Sequence, residues 1–263
     1  MHSISSNIKN QSLTQTLVLS IWIIAVFLVA DNGYQWQKDF GLLPETTPLV
    51  IKRWLSYVIW RAVPVITALW IWYGAKNIFA ELGLKSNVLK ALGIAFIATL
   101  PMLLGYGFHV AWAMKISWTN ILYGCVLAAF MEEFLYRGFL FGQLYRRAKW
   151  PFWAAAILIA VIFGMAHLYQ GNNLQSMIGI FLITGIGGAW FAWLYVKWAY
   201  NLWVPIFFHF LMNFYWGIFD MDSTALGGLE ANLYRGLTVA LSIVITRRWA
   251  FPPTPEASAD EGA

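Results

Sequence analysis

Charged residues are scarce in this sequence. Only 11% of its 263 residues are Asp, Glu, Lys or Arg, less than half the ~25% of an ordinary soluble chain. Such a shortage excludes a soluble enzyme, whose water-facing surface needs charge, and a disordered chain, which is rich in charge and poor in apolar mass. Cysteine is nearly absent as well. Cys125 stands alone, so neither an intrachain disulfide nor a thiolate metal cluster can form. Its place in an apolar run reads as a small buried hydrophobe. The 17 Lys and Arg against 12 acids give a pI near 9.3. In so apolar a chain that excess marks cytoplasmic loops rather than a nucleic-acid surface, and no nucleic-acid partner is expected.

What fills the chain is apolar. Hydrophobic residues make up 60%, 16 residues are Trp, and the mean hydropathy is +0.62. At ~20 apolar residues per span this suffices for roughly eight transmembrane helices. Apolar runs stand at about 13–30, 54–75, 88–108, 118–145, 151–168, 176–196, 201–219 and 231–246. The expected fold is therefore an all-α membrane protein, a polytopic bundle of about eight transmembrane helices. It forms one helical domain over 1–250, followed by a disordered Pro- and Ala-rich tail over 251–263. The first run lacks a strongly basic n-region and a clean small-x-small cleavage site, so it reads as an uncleaved span.

Orientation follows from the Lys and Arg bias. Placing the N-terminus in the cytoplasm puts ten in inside segments and five outside. That predicts an integral protein of the plasma (inner) membrane with both termini cytoplasmic; the Lys52–Arg53 pair in the first loop counts against it. Trp54, Trp150, Trp153, Trp198 and Trp203, near span ends, read as interface anchors. Thr184 and Gly188, four apart in a run of small residues, allow close helix approach.

A charged side chain at mid-bilayer costs about 2.5–3.5 kcal/mol on insertion scales, so ionisable groups within runs are functional candidates. The first set is Glu132, Glu133 and Arg137 in AAFMEEFLYRGFLFG. Glu133 and Arg137 are four apart and can pair on one helical face. Glu132 points about 100° away, toward a different neighbour. Two adjacent carboxylates suit general acid–base work; the bland alternative is a helix end with a solvated salt bridge. The second is His167 in VIFGMAHLY, one turn after Phe163; alone, it would be an interfacial or packed histidine. The third is His209 with Asn213 in PIFFHFLMNFYW, four apart and reaching into the same space. Such residues also bridge helices by hydrogen bonds.

Depth lets the three sets meet. Counted from the basic-side loops at 1.5 Å per residue, Glu132, His167 and His209 lie about 21, 24 and 18 Å deep. A Glu, two His and an Asn together suit water activation, with donors for a developing oxyanion. Glu132, His167 and His209 would equally make a catalytic zinc set. His109 reads as interfacial, Asp220 and Asp222 as solvated, and the role of Arg61 within the second run is open.

These residues resemble a known family. EEFLYRG, the Phe163-x-x-x-His167 step and the His209-x-x-x-Asn213 step look like the three ordered motifs of the CPBP family, the type II CAAX prenyl endopeptidases and the bacteriocin-processing or self-immunity (Abi) proteins. The resemblance covers roughly residues 118–219, the expected catalytic core. It implies an eight-helix intramembrane endopeptidase acting on a protein or peptide substrate at the lipid bilayer. In that reading Glu132 activates water, His167 helps to hold it, His209 and Asn213 stabilise the oxyanion, and Glu133 and Arg137 support the site. The metal-free glutamate form is preferred, with zinc the alternative. Two rivals remain. Buried Glu and His also build proton- or ion-coupled transporters, against which the lack of an internal repeat counts. A non-catalytic bacteriocin-immunity protein could use the same fold.

Overall fold

The computed structural model describes residues 12–41 and 43–250; the tail 251–263 lies outside the described residues. Long helical rods coincide with the apolar runs. We number them α1 (Leu13–Asp39), α2 (49–73), α3 (Val88–His109), α4 (118–146), α5 (Phe152–Ala166), α6 (Leu174–Lys197), α7 (Trp203–Ile218) and α8 (Leu229–Trp249). No strand occurs among the described residues, and the all-α membrane class holds.

The rods and the membrane spans are not the same count. Leu13–Gly33, Val88–His109, Phe152–Gln170 and Leu174–Lys197 are long and apolar enough to cross a membrane. Residues 56–73 of α2 make a fifth when joined to the short segment bent 114° from them. The expected number of about eight spans is not carried by length and composition. α4 is interrupted by Glu132, Glu133 and Arg137, α7 has 16 residues, and α8 carries Glu230, Arg235, Arg247 and Arg248.

Local chemistry starts the helices. Ser12 caps α1 in a reciprocal box with Gln15, Asn87 caps α3, and Asn173 caps α6 in a box with Ser176. Each satisfies backbone N–H groups that the first turn leaves free. α2 and α4 are not uniform α-helices. Residues Ser56–Ala62 of α2 and Ile121–Leu127 and Glu133–Phe141 of α4 are wound as π-helix, a form concentrated at functional sites.

α4 is the axis of the molecule and touches α1, α2, α5, α6 and α7. Every residue from 133 to 144 is buried. One apolar core gathers α1, α2 and α5 around the second half of α4; a second joins α3, α6, α7 and α8. Gly185 of α6 lies against the Ala160 carbonyl of α5, and Gly188 against Arg137, the close approach that small residues permit. Cys125 is buried.

Three of the five tryptophans read as interface anchors hydrogen-bond to a neighbouring helix or loop. Trp150 Nε1 donates to Ser20 Oγ (2.8 Å), Trp198 Nε1 to Thr246 Oγ1 (3.1 Å) and Trp203 Nε1 to the Leu84 carbonyl (3.0 Å). An indole N–H needs an acceptor, and a neighbouring helix or loop supplies one here. Trp54 and Trp153 are exposed.

The loops after α2, α4 and α6 meet at one end of the bundle. Arg147 forms a salt bridge with Glu81, and Arg146 Nη1 donates to the Glu81 carbonyl at 2.7 Å. Burial works against the Arg147 charge, but the hydrogen bond and charge of Glu81 outweigh it and raise its pKa. The Leu202 N–H donates to the Gly83 carbonyl at 3.2 Å. Gly83 has φ +77°, and a Cβ there would run into the Tyr200 carbonyl. Gly83→Ala combines a left-handed backbone with a backbone clash. It should destabilise the protein by on the order of 2 kcal/mol, read as a lower melting temperature in detergent beside a neutral control at Gly93, where a Cβ meets open space.

Candidate functional site

The buried charges converge halfway along α4. Glu133 and Arg137 have no exposed side-chain surface and pair at 2.9 Å between Oε1 and Nη1, as their four-residue spacing predicted. The same Oε1 lies 2.8 Å from His209 Nδ1 of α7. A carboxylate oxygen paired with a guanidinium accepts, which assigns the proton to Nδ1. The other nitrogen of that ring, Nε2, is 4.0 Å from Glu132 Oε2. The two acids therefore flank one imidazole, and Arg137 pairs with Glu133. The π winding that begins at Glu133 closes its hydrogen bonds over five residues. Adjacent residues there turn through less than the 100° of an α-helix.

Arg137 is enclosed by aromatic rings. Its guanidinium lies 4.7 Å from the Phe163 centroid and 5.3 Å from that of Phe191. These faces attract a cation that water does not reach. Nε and Nη2 of Arg137 and Oε2 of Glu133 have no hydrogen-bond partner, so the pair rests on the single Oε1 junction.

His167 stands immediately after the last residue of α5. Its Nδ1 donates to the Phe163 carbonyl at 2.7 Å, satisfying one of the carbonyls a helix end leaves unpaired. That bond leaves Nε2 as the acceptor nitrogen. Asn213 Nδ2 donates to the Gly124 carbonyl at 3.0 Å and ties α7 to the π-wound start of α4.

Glu132, His167, His209 and Asn213 line one cavity of about 1470 Å³. Of the six residues singled out from the sequence, these four face it. Glu133 and Arg137 lie behind it, Glu133 against His209 and Arg137 against Phe163 and Phe191. Sequence reasoning missed part of the wall. Asp31 of α1 lines the cavity with Arg61 of α2. Asp31 Oδ1 accepts from Tyr136 Oη at 3.3 Å and lies 3.8 Å from Arg61 Nη2. Arg61 was visible as a charge within an apolar run. Asp31 sits just past the first run and carries no comparable signal.

Among the described residues, no three His, Cys, Asp or Glu side chains group closely enough to hold a metal ion. Toward the loops, His109 pairs with Glu230 at 2.8 Å and Asp220 with Lys115, both pairs largely exposed.

Comparison with known proteins bears on the middle of the chain. Residues 114–215 match the family model described as Type II CAAX prenyl endopeptidase Rce1-like. A curated relative, "Putative membrane peptidase YdiL" of Bacillus subtilis (strain 168), is 31% identical over 102 residues. That alignment covers 39% of this chain and 37% of the relative. No solved structure matches the chain.

The Glu133 junction has a measurable energetic consequence. Removing one partner of a buried ion pair leaves an uncompensated charge and costs about 3–5 kcal/mol, whereas replacing both costs far less. Arg137→Met should therefore lower the melting temperature in detergent sharply. Adding Glu133→Gln to it should restore part of the loss; equal losses in the single and double variants would show that the pair is not the source.

Proposed function

We propose, on the premise that residues 114–215 belong to the type II CAAX prenyl endopeptidase Rce1-like family, that this protein is an intramembrane endopeptidase working by glutamate-activated water. One observation supports the reading above the others. Glu132, His167, His209 and Asn213 line a single cavity, with Glu132 4.0 Å from His209 Nε2. That separation suits two partners of one water molecule.

In this reading Glu132 takes a proton from water as its oxygen attacks the carbonyl carbon of the scissile peptide bond. His167 Nε2 accepts from the second hydrogen of the same water and orients it. The attack creates an oxyanion, which needs donors already in position. Asn213 is held by its bond to Gly124 and has a second amide hydrogen to offer. His209 donates from Nε2 when its ring carries both protons, since Nδ1 is engaged by Glu133. Collapse of the tetrahedral intermediate breaks the C–N bond, and Glu132 passes its proton to the departing amine. The products are a new carboxylic acid, which loses its proton to water on release, and a new amine. Glu133 and Arg137 act as positioning residues through His209. The substrate would be a protein or peptide at the membrane.

Comparative proteomics of strains making wild-type or Glu132→Gln protein would supply a substrate, and purified enzyme would test the roles. Glu132→Gln should abolish cleavage; retained cleavage by the purified variant would show that Glu132 is not the base. Asn213→Ala should lower kcat by roughly 10²–10³-fold, the loss on removing one oxyanion donor. Cleavage should persist in a chelator, with no stoichiometric metal in the purified protein.

A further inference from the structure

We infer that the Arg61 guanidinium is a second recognition point in the cavity, a subsite for a carboxylate of the peptide substrate, supplied from outside the segment that matches the peptidase family. Arg61 lies on α2 and lines the cavity with Ser56, Tyr57 and Trp60 of the same π-wound stretch. Its neighbours fix its place. Trp60 Nε1 donates to Gln37 Oε1 of α1 at 3.0 Å. The Trp60 ring lies against Gly33, where a Cβ would come within 2.3 Å of it. The guanidinium itself sits 4.8 Å from the Tyr57 ring centroid, a face that attracts a cation.

The protein answers this charge incompletely. Asp31 Oδ1 is 3.8 Å from Arg61 Nη2, too far for a hydrogen bond, and the same oxygen accepts from Tyr136 Oη. Nη1 of Arg61 is buried and has no hydrogen-bond partner. The other arginine that lines the cavity is better served: Arg235 Nη1 donates to the Ala225 carbonyl at 2.9 Å, and its guanidinium lies 4.4 Å from the Trp216 ring centroid. Arg137, behind the wall, has Glu133 at 2.9 Å. A buried donor without an acceptor bears the full cost of its lost hydration, so a ligand that accepts from Nη1 is favoured. The planar fork of a guanidinium matches the two oxygens of a carboxylate.

Neighbouring charges make the subsite selective in position. Asp31 and Glu132 line the same cavity and are close enough for their carboxylates to repel each other. An entering carboxylate meets the same repulsion from both and is compensated where Arg61 faces it. A peptide docked by that group has the rest of its chain in the cavity that holds Glu132, His167, His209 and Asn213. Arg61 then governs which peptide is held without touching the reacting atoms. A free C-terminus and an Asp or Glu side chain supply the same chemistry. The peptide half of this inference rests on the protease reading; the carboxylate subsite does not.

The subsite is tested by the melting temperature of the purified protein in detergent, followed against the concentration of N-acetyl-leucylphenylalanine and of its C-terminal amide. The acid should bind the wild type more tightly than the amide by on the order of tenfold to a hundredfold, the range for hydrogen bonds to charged groups. Arg61→Gln should erase the difference and Arg61→Lys should keep part of it. Asp31→Asn, which removes a competing anion, should enlarge it. Equal binding of acid and amide to the wild type, a difference that survives in Arg61→Gln, or its loss in Asp31→Asn as well overturns the inference. Stabilisation by phosphatidylglycerol that Arg61→Gln loses, with no preference between the dipeptides, overturns it too, because the guanidinium then serves a lipid phosphate. For the peptide half, a substrate found by the proteomic comparison is resynthesised with each carboxylate, C-terminal or side-chain, replaced in turn by a carboxamide. One replacement should raise KM for the wild type and leave kcat unchanged, and Arg61→Gln should be indifferent to it. A KM insensitive to every replacement, or a change in kcat alone, overturns that half. Failure of the wild type to cleave any such peptide defeats the protease reading itself, while the dipeptide comparison still decides the subsite.

Discussion

One carboxylate oxygen holds the site together. Glu133 Oε1 accepts from Arg137 on its own helix and from His209 on another, at 2.9 and 2.8 Å, with no water-exposed side-chain surface on either Glu133 or Arg137. An anion in so apolar a place persists only if it is compensated, and compensation here requires α7 to sit at one height beside α4. Once Nδ1 of His209 is committed to Glu133, Nε2 is left facing Glu132. The aromatic rings of Phe163 and Phe191 and the missing side chain of Gly188 serve the same junction, because each lies against the Arg137 guanidinium.

The cavity is built from two parts of the chain. The segment that matches the peptidase family supplies Glu132, His167, His209 and Asn213. α1 and α2 lie before that segment and add Asp31 and Arg61 to the same wall. Arg61 Nη1 is buried without a hydrogen-bond partner, although Asp31 stands near its other terminal nitrogen. The N-terminal helices therefore contribute polar chemistry to the same cavity wall.

The distribution of polar groups also explains why rods and spans differ in number. α4, α7 and α8 carry the charge or the shortness that a lone membrane helix would not tolerate, and α4 runs through the middle of the bundle. Glu133 of α4 is met by His209 of α7, and Glu230 of α8 by His109 of α3. The mean hydropathy of each run thus registers burial among helices together with contact with lipid.

Much of this was legible in the sequence for a local reason. Charge scarcity and apolar runs give the helical membrane class, because each run must bury its own backbone polar groups in hydrocarbon. Spacings of four report a shared helical face, so the Glu133–Arg137 pair and the shared reach of His209 and Asn213 could be read directly. The junction of Glu133 with His209, the flanking of one imidazole by both acids, and the approach of Asp31 and Arg61 were decided only by tertiary structure. Each of these depends on the relative height and rotation of helices distant in sequence, which packing settles and no local periodicity records.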